Sequence, residues 1–90
     1  MDINAARRAI DELDAQLVSL LSKRMELSLQ VAKLKADRGL EPRDLEREKS
    51  IIETAGKLAR WPLTPQAVAR VLETVLEVSR AATAVELGQK

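Results

Sequence analysis

The stretch IDELDAQLVSLLSKRMELSLQVAKL, residues 10–34, decides the fold of this chain. Its apolar residues recur at alternating steps of three and four, and a single arginine occupies one of the recurring positions. These positions are Ile10, Leu13, Leu17, Leu20, Arg24, Leu27, Val31 and Leu34. Such a heptad pattern is typical of a long helix that packs an apolar stripe against another helix. We call the seven apolar members of this set the seam.

The helix predicted around the seam runs from Asn4 to Arg38. No Gly or Pro occurs before Gly39, Asp2 or Asn4 can cap its start, and Gly39 supplies a stop. At a rise of about 1.5 Å per residue this helix is roughly 50 Å long. The rest of a 90-residue chain is too small to cover its whole length. We therefore expect the helix to pair with a second copy of itself.

Two shorter helices are predicted after the long one. The segment GLEPRD breaks the chain before a helix from about Arg43 to Leu58, and RWPLTP breaks it again. Thr64 then caps a third helix, from Pro65 to about Val85, that begins with proline. Because no alternating strand pattern occurs, we predict an all-α fold with three helices, and residues 1–90 as a single domain.

The composition excludes several classes of function. The 15 basic and 14 acidic residues are interleaved, and the single aromatic residue, Trp61, offers no stacking platform, so no nucleic-acid partner is expected. No apolar run approaches the roughly 20 residues of a membrane span, and the first residues lack the apolar core of a signal peptide. His and Cys are absent, so we expect no metal, no disulfide and no covalent catalysis. A cytoplasmic protein without a membrane partner is predicted.

Arg24 is the anomaly of the seam. It can fix the register of a helix pair or extend its charge to the surface, but it can also be a buried guanidinium that awaits an anion. Lys35 lies eleven residues on, close to three helical turns, and so projects from nearly the same face about 16 Å away. It is either a solvated lysine near a helix C-terminus or the second of two cations that bracket a small dianion.

Two further polar groups lie at helical spacing. Asp44, Arg47 and Glu48 share one face of the second helix, either as a cap with an intrahelical ion pair or as part of a site. Ser79 and Thr83 are four residues apart on the apolar side of the third helix. Hydroxyls in such places often bond back to their own helix.

Read together, the segments RRAIDELDAQLVSLLSKRMELSLQVAKLK and RDLEREK resemble the all-helical class of chorismate mutases. The family motifs are an Arg before I-x-x-L-D, then L-L-x-x-R, V-x-x-x-K and D-x-x-R-E, and all occur here in order across nearly the whole chain. The resemblance implies an intertwined homodimer of three-helix chains. It also implies a cofactor-free Claisen rearrangement of chorismate to prephenate, a step in Phe and Tyr biosynthesis.

The resemblance also implies roles for the residues of the long helix. Arg7 is similar to the arginine that reaches a substrate carboxylate in the partner chain's site. Arg24 is similar to the arginine that binds a carboxylate within its own site, and Lys35 to the lysine that bonds the ether oxygen and a carboxylate.

On the other two helices, Glu48 resembles the acid that holds the ring hydroxyl, and Arg47 beside it gives a backbone contact. Asp44 resembles a residue that lines the site, and Ser79 a hydroxyl near a carboxylate. Thr83 stands where the family commonly has Gln or Glu as the second donor to the ether oxygen. Its shorter hydroxyl would need a water to reach that oxygen, so the resemblance implies a less direct contact, a shifted register or reduced activity.

The residues and the resemblance agree on the chemistry, since a pericyclic rearrangement needs no nucleophile, metal or cofactor. It needs clamps that fold a flexible substrate and a fixed cation that meets developing charge. Two alternatives stay open at this point. One is an isochorismate-pyruvate lyase on the same scaffold, and the other is a non-catalytic regulatory helical domain of a shikimate-pathway enzyme.

Overall fold

A computed structural model of the chain describes residues 2–88, which form three helices and no strand. Helix α1 spans Ile3–Asp37, α2 spans Leu45–Lys57 and α3 spans Pro65–Glu86. The prediction of an all-α chain with one long and two shorter helices is confirmed. The predicted bounds of α1 and α3 differ from the observed ones by one residue, whereas α2 begins two residues later than predicted.

Short polar side chains define where the helices begin. Asp2 caps α1 by accepting a hydrogen bond of 2.7 Å from the backbone N–H of Ala5. Thr64 caps α3 in the same way through a bond of 3.1 Å from the backbone N–H of Ala67. After α1 the chain turns at Gly39, whose φ of 66° lies in the left-handed region that glycine adopts at little cost.

Helix α3 packs against both of the other helices. Lys33 of α1 pairs with Glu86 at 3.4 Å, and Glu48 of α2 pairs with Arg80 at 2.9 Å. The amino-terminal part of α1 extends away from these contacts, and every residue from 11 to 20 is exposed. The result is an elongated molecule with principal extents of 54 × 24 × 19 Å.

The core of the single chain is small. Across residues 2–88 the buried side chains are Val68, Leu76 and Ser79. All seven seam residues are exposed, with exposed fractions between 49% and 63%. Such a large apolar stripe in contact with water is unusual for a chain that works alone. None of the helices in the described range is long and apolar enough to cross a membrane.

Candidate active site

A cavity of about 220 Å³ lies between the carboxyl-terminal half of α1, the start of α2 and the carboxyl-terminal half of α3. Its walls carry most of the polar residues that the sequence analysis singled out. The polar lining residues are Arg24, Ser28, Lys35, Asp44, Arg47, Glu48, Ser79, Arg80 and Thr83. Of the eight predicted site residues, only Arg7 is absent from the lining. The cavity therefore joins side chains that are up to 59 positions apart in the sequence.

Arg24 reaches the cavity from the border between the seam and the side of α1 that packs on α3. It is half-buried, whereas its seam neighbours Leu20 and Leu27 are 63% and 60% exposed. Its Nη1 donates a hydrogen bond of 3.2 Å to Oγ of Ser79, which is buried. No carboxylate of residues 2–88 lies within 4.0 Å of the guanidinium. Arg24 therefore presents a positive charge that a hydroxyl orients but does not neutralise.

Lys35 forms the opposite end of the cavity. Its side chain is half-buried, and Nζ donates a hydrogen bond of 3.3 Å to the carbonyl oxygen of Pro42 in the loop between α1 and α2. This bond holds the ammonium over the loop. Because α1 is continuous from Arg24 to Lys35, the two residues are separated by about 16 Å along the helix axis. Long side chains at this spacing can contact the two ends of one small molecule.

Asp44 and Arg47 contribute to the wall at the start of α2. Asp44 is the N-cap of the helix, and its Oδ1 accepts a hydrogen bond of 3.0 Å from the backbone N–H of Arg47. The cap is therefore confirmed, whereas the predicted ion pair within α2 is not found among residues 2–88. The side chain of Arg47 is exposed at the cavity rim.

Glu48 is held by two arginines. Arg43 donates from Nε to Oε2 at 3.1 Å and from Nη2 to Oε1 at 3.2 Å, while Arg80 donates from Nη1 to Oε1 at 2.9 Å. The hydrogen bonds from Arg43 lower the pKa of Glu48 below its ordinary value, and the charge of Arg80 acts in the same direction against the cost of burial. The cavity thus contains a carboxylate that stays ionised at neutral pH.

The two hydroxyls on α3 have different partners. Ser79 accepts the bond from Arg24, whereas Oγ1 of Thr83 donates a hydrogen bond of 3.0 Å to the carbonyl oxygen of Arg80. Thr83 is therefore one of the helix residues whose hydroxyl bonds back to its own helix. In this conformation the hydroxyl proton of Thr83 is not directed at the cavity.

Arg7 is exposed near the start of α1, outside the cavity of its own chain. It lies seventeen residues before Arg24 on the same helix, which corresponds to about 25 Å. No arginine side chain crosses that distance.

Sequence reasoning missed Arg43 and Arg80. A signal for Arg80 was present, because it lies three residues before Thr83 and so shares its helix face. Arg43 gave no comparable signal, since its pairing with Glu48 depends on how the chain turns into α2.

The cavity is suited to one kind of ligand. Four cationic side chains face it, Arg24, Lys35, Arg47 and Arg80, against the two carboxylates of Asp44 and Glu48. The net charge of two positive units matches a small dianion, and the fixed donors can stabilise charge that develops during a reaction. The fold and cavity thus define a small helical protein with a cationic cavity that is suited to a small anion.

The sequence model of the family chorismate mutase type II matches residues 6–84, and the chain belongs to this family. Two relatives are bifunctional chorismate mutase/prephenate dehydratases. The protein of Buchnera aphidicola subsp. Baizongia pistaciae is 43% identical over 49 residues, which are 54% of this chain and 13% of that protein. The protein of Buchnera aphidicola subsp. Schizaphis graminum is 32% identical over 79 residues, which are 87% of this chain and 20% of that protein. The chain thus matches only a small part of the length of these relatives.

Proposed function

We propose that this chain is a chorismate mutase, which rearranges chorismate to prephenate without a cofactor. The observation that carries the proposal is the gathering of seven predicted site residues around one cavity of about 220 Å³. Family membership and the names of the two relatives support the mutase over the lyase and over a purely regulatory domain. On this proposal residues 1–90 act as one catalytic domain in the route to Phe and Tyr. The cytoplasmic location stays a prediction from the sequence.

The first task of the site is to fold the substrate. Chorismate carries two carboxylates, and the flexible enolpyruvyl arm must lie over the ring before the new carbon–carbon bond can form. Arg24 binds one carboxylate by charge-assisted hydrogen bonds, and its bond to Ser79 fixes the direction of the guanidinium. Holding the reacting ends together removes much of the entropic part of the barrier.

The second task is to stabilise charge in the transition state. As the ether bond breaks, negative charge grows on its oxygen, and Lys35 supplies a cation next to that oxygen. Since Pro42 holds the ammonium in place before the reaction, little reorganisation is needed when the charge develops. The ionised carboxylate of Glu48 accepts a hydrogen bond from the ring hydroxyl and so fixes the position of the ring.

The active form is a homodimer in which Arg7 of one chain serves the site of its partner. The seam supports this arrangement, because seven apolar residues on α1 are at least 49% exposed in the single chain. A second α1 packed in antiparallel orientation would cover them and would add to a core that is small for an independent fold. The two-fold axis then lies near Val18 or Ser19, which brings Arg7 opposite a point between Arg24 and Lys35 of the other chain.

Product identification tests the proposal. The purified protein is incubated with chorismate and, separately, with isochorismate, and the products are resolved by chromatography. We expect prephenate from chorismate and no release of pyruvate from isochorismate. The Lys35→Ala variant, purified in parallel, controls for contaminating host enzymes. Release of pyruvate from isochorismate would favour the lyase, and failure to convert either compound would refute an enzymatic role.

A further inference from the structure

Arg80 lies on the α3 wall of the cavity, between Ser79 and Thr83 in the sequence, and its pairing with Glu48 uses only part of its guanidinium. Its side chain is 39% exposed, and Nη1 contacts Oε1 of Glu48 at 2.9 Å. It is thus a long cation that is partly accessible from the cavity that binds the substrate.

The carboxylate of Glu48 does not depend on Arg80 alone for neutralisation. Arg43 engages both of its oxygens with two hydrogen bonds, whereas Arg80 engages one oxygen with one bond. A guanidinium has five N–H groups, and no other hydrogen bond from the Arg80 side chain occurs within residues 2–88. Arg80 can therefore bind a further oxygen while Glu48 keeps Arg43 as its partner.

Of the two hydroxyls on this wall, that of Thr83 is already engaged as a donor to the backbone carbonyl of Arg80, and that of Ser79 accepts a bond from Arg24. An oxygen of a ligand that approaches α3 between these two residues meets the guanidinium of Arg80. An arginine–oxyanion contact is also stronger than a neutral hydroxyl contact.

We propose that Arg80 is a further substrate-binding residue, whose free N–H groups bind an anionic oxygen of the substrate at the α3 wall of the cavity. The inference rests on the proposed function, because it takes the dianion of that reaction as the ligand. The competing interpretation is that Arg80 only positions Glu48 by linking α2 to α3.

Three variants separate these interpretations. Arg80→Leu removes the cation from the cavity. Arg80→Gln removes the charge but keeps an amide that can hydrogen-bond Glu48. Arg43→Leu is the matched control, because it also removes a guanidinium from Glu48, but from a residue that does not line the cavity. Circular dichroism and thermal unfolding establish that each variant is folded.

The measurements are the affinity for prephenate by titration calorimetry and the KM and kcat for chorismate. We expect Arg80→Leu and Arg80→Gln each to weaken prephenate binding and raise KM by about tenfold or more, as for loss of a charged hydrogen bond. At neutral pH Arg43→Leu should change both quantities less than the Arg80 variants do, because Glu48 stays ionised there and the guanidinium of Arg80 remains in the cavity.

Equal effects of the Arg80 and Arg43 variants, or full prephenate affinity in Arg80→Gln, would overturn the inference and leave Arg80 as a positioning residue. Should Arg80→Leu not fold, a comparison of prephenate binding by Arg80→Gln and by Arg43→Leu still distinguishes the two interpretations of Arg80. A parent protein that converts chorismate while the Arg80 variants bind normally refutes this inference alone. A parent that neither converts chorismate nor binds prephenate refutes the proposed function together with it.

Discussion

Arg24 on α1 and Ser79 on α3 are joined by a hydrogen bond of 3.2 Å, although 55 positions separate them in the sequence. The bond explains how a guanidinium can occupy a position in an otherwise apolar heptad. Arg24 is half-buried, and its guanidinium reaches Ser79 on α3 and lines the cavity. The arginine that interrupts the apolar pattern thereby becomes the orienting cation of the proposed site.

Replacing Arg24 by alanine should abolish activity without reducing stability. No carboxylate of the described chain pairs with this charge, so its removal relieves a desolvation cost, and Ser79 can bond back to its own helix. We expect turnover to fall by more than about a hundredfold, as for other preorganised charge-stabilising donors. Thermal unfolding and steady-state kinetics measure the two effects, with Lys23→Ala, an exposed neighbour, as the control. A lower melting temperature with normal turnover would assign Arg24 a structural role instead.

Replacing Lys35 by alanine should depress kcat more than it raises KM. The ether oxygen gains its charge mainly in the transition state, so the contact with Lys35 is strongest there. Steady-state kinetics with chorismate separates the two constants. Lys33→Ala is the matched control, because Lys33 lies on the same helix but pairs with Glu86 outside the cavity. An increase in KM alone would make Lys35 a simple anchor for a carboxylate.

The pH dependence of activity should report on Glu48. Its two arginines lower its pKa, so the carboxylate stays ionised at pH values below 4.5, the ordinary pKa of the group. The decrease of kcat/KM at acid pH that protonation of Glu48 causes therefore lies below pH 4.5. The same ion pairs stabilise the fold at pH values above the ordinary pKa of Glu48. This stabilisation is lost as the pH falls through the lowered pKa that Glu48 has in the folded chain. In Arg43→Leu the largest cause of the shift is gone, so the acid limb should move to higher pH. An unchanged limb would mean that another group controls it.

Replacing Thr83 by glutamine should preserve or increase activity. The threonine hydroxyl bonds to the carbonyl of Arg80 and is not directed at the cavity, whereas a glutamine amide is long enough to extend into it. Turnover of chorismate by Thr83→Gln is compared with that of Thr83→Ser, which keeps the hydroxyl. A large loss in the glutamine variant would show that the local packing requires the smaller side chain.

The sequence predicts the helices of this chain better than it predicts the contacts between them. Local signals determine α1 and its caps, because an uninterrupted heptad pattern, Asp2 and Gly39 all act within a few residues. Thr64 and the proline that follows it placed the start of α3 correctly, whereas the start of α2 was predicted two residues too early. A capping side chain, a glycine or a proline acts on the backbone within a few residues of itself, so such signals can be read from the sequence.

The pairing of Glu48 could not be read from spacing. Spacing favoured partners on α2 itself, yet the carboxylate pairs with Arg43 in the preceding turn and Arg80 on another helix. Those contacts depend on the crossing of α2 and α3 and on the exit of the chain from the loop. Neither the helix crossing nor the path of the loop produces a periodic pattern in the sequence.

A complementation experiment tests most directly the claim that two chains together rearrange chorismate in shared sites. Arg7→Ala and Lys35→Ala proteins, each inactive alone, are mixed under conditions that exchange subunits, and exchange is verified by native mass spectrometry. Each mixed dimer then contains one site with both residues intact, so chorismate should be converted to prephenate at about half the parental rate per mixed dimer. A mixture that stays inactive despite verified exchange, or an active parent that sediments as a monomer, would contradict the shared site.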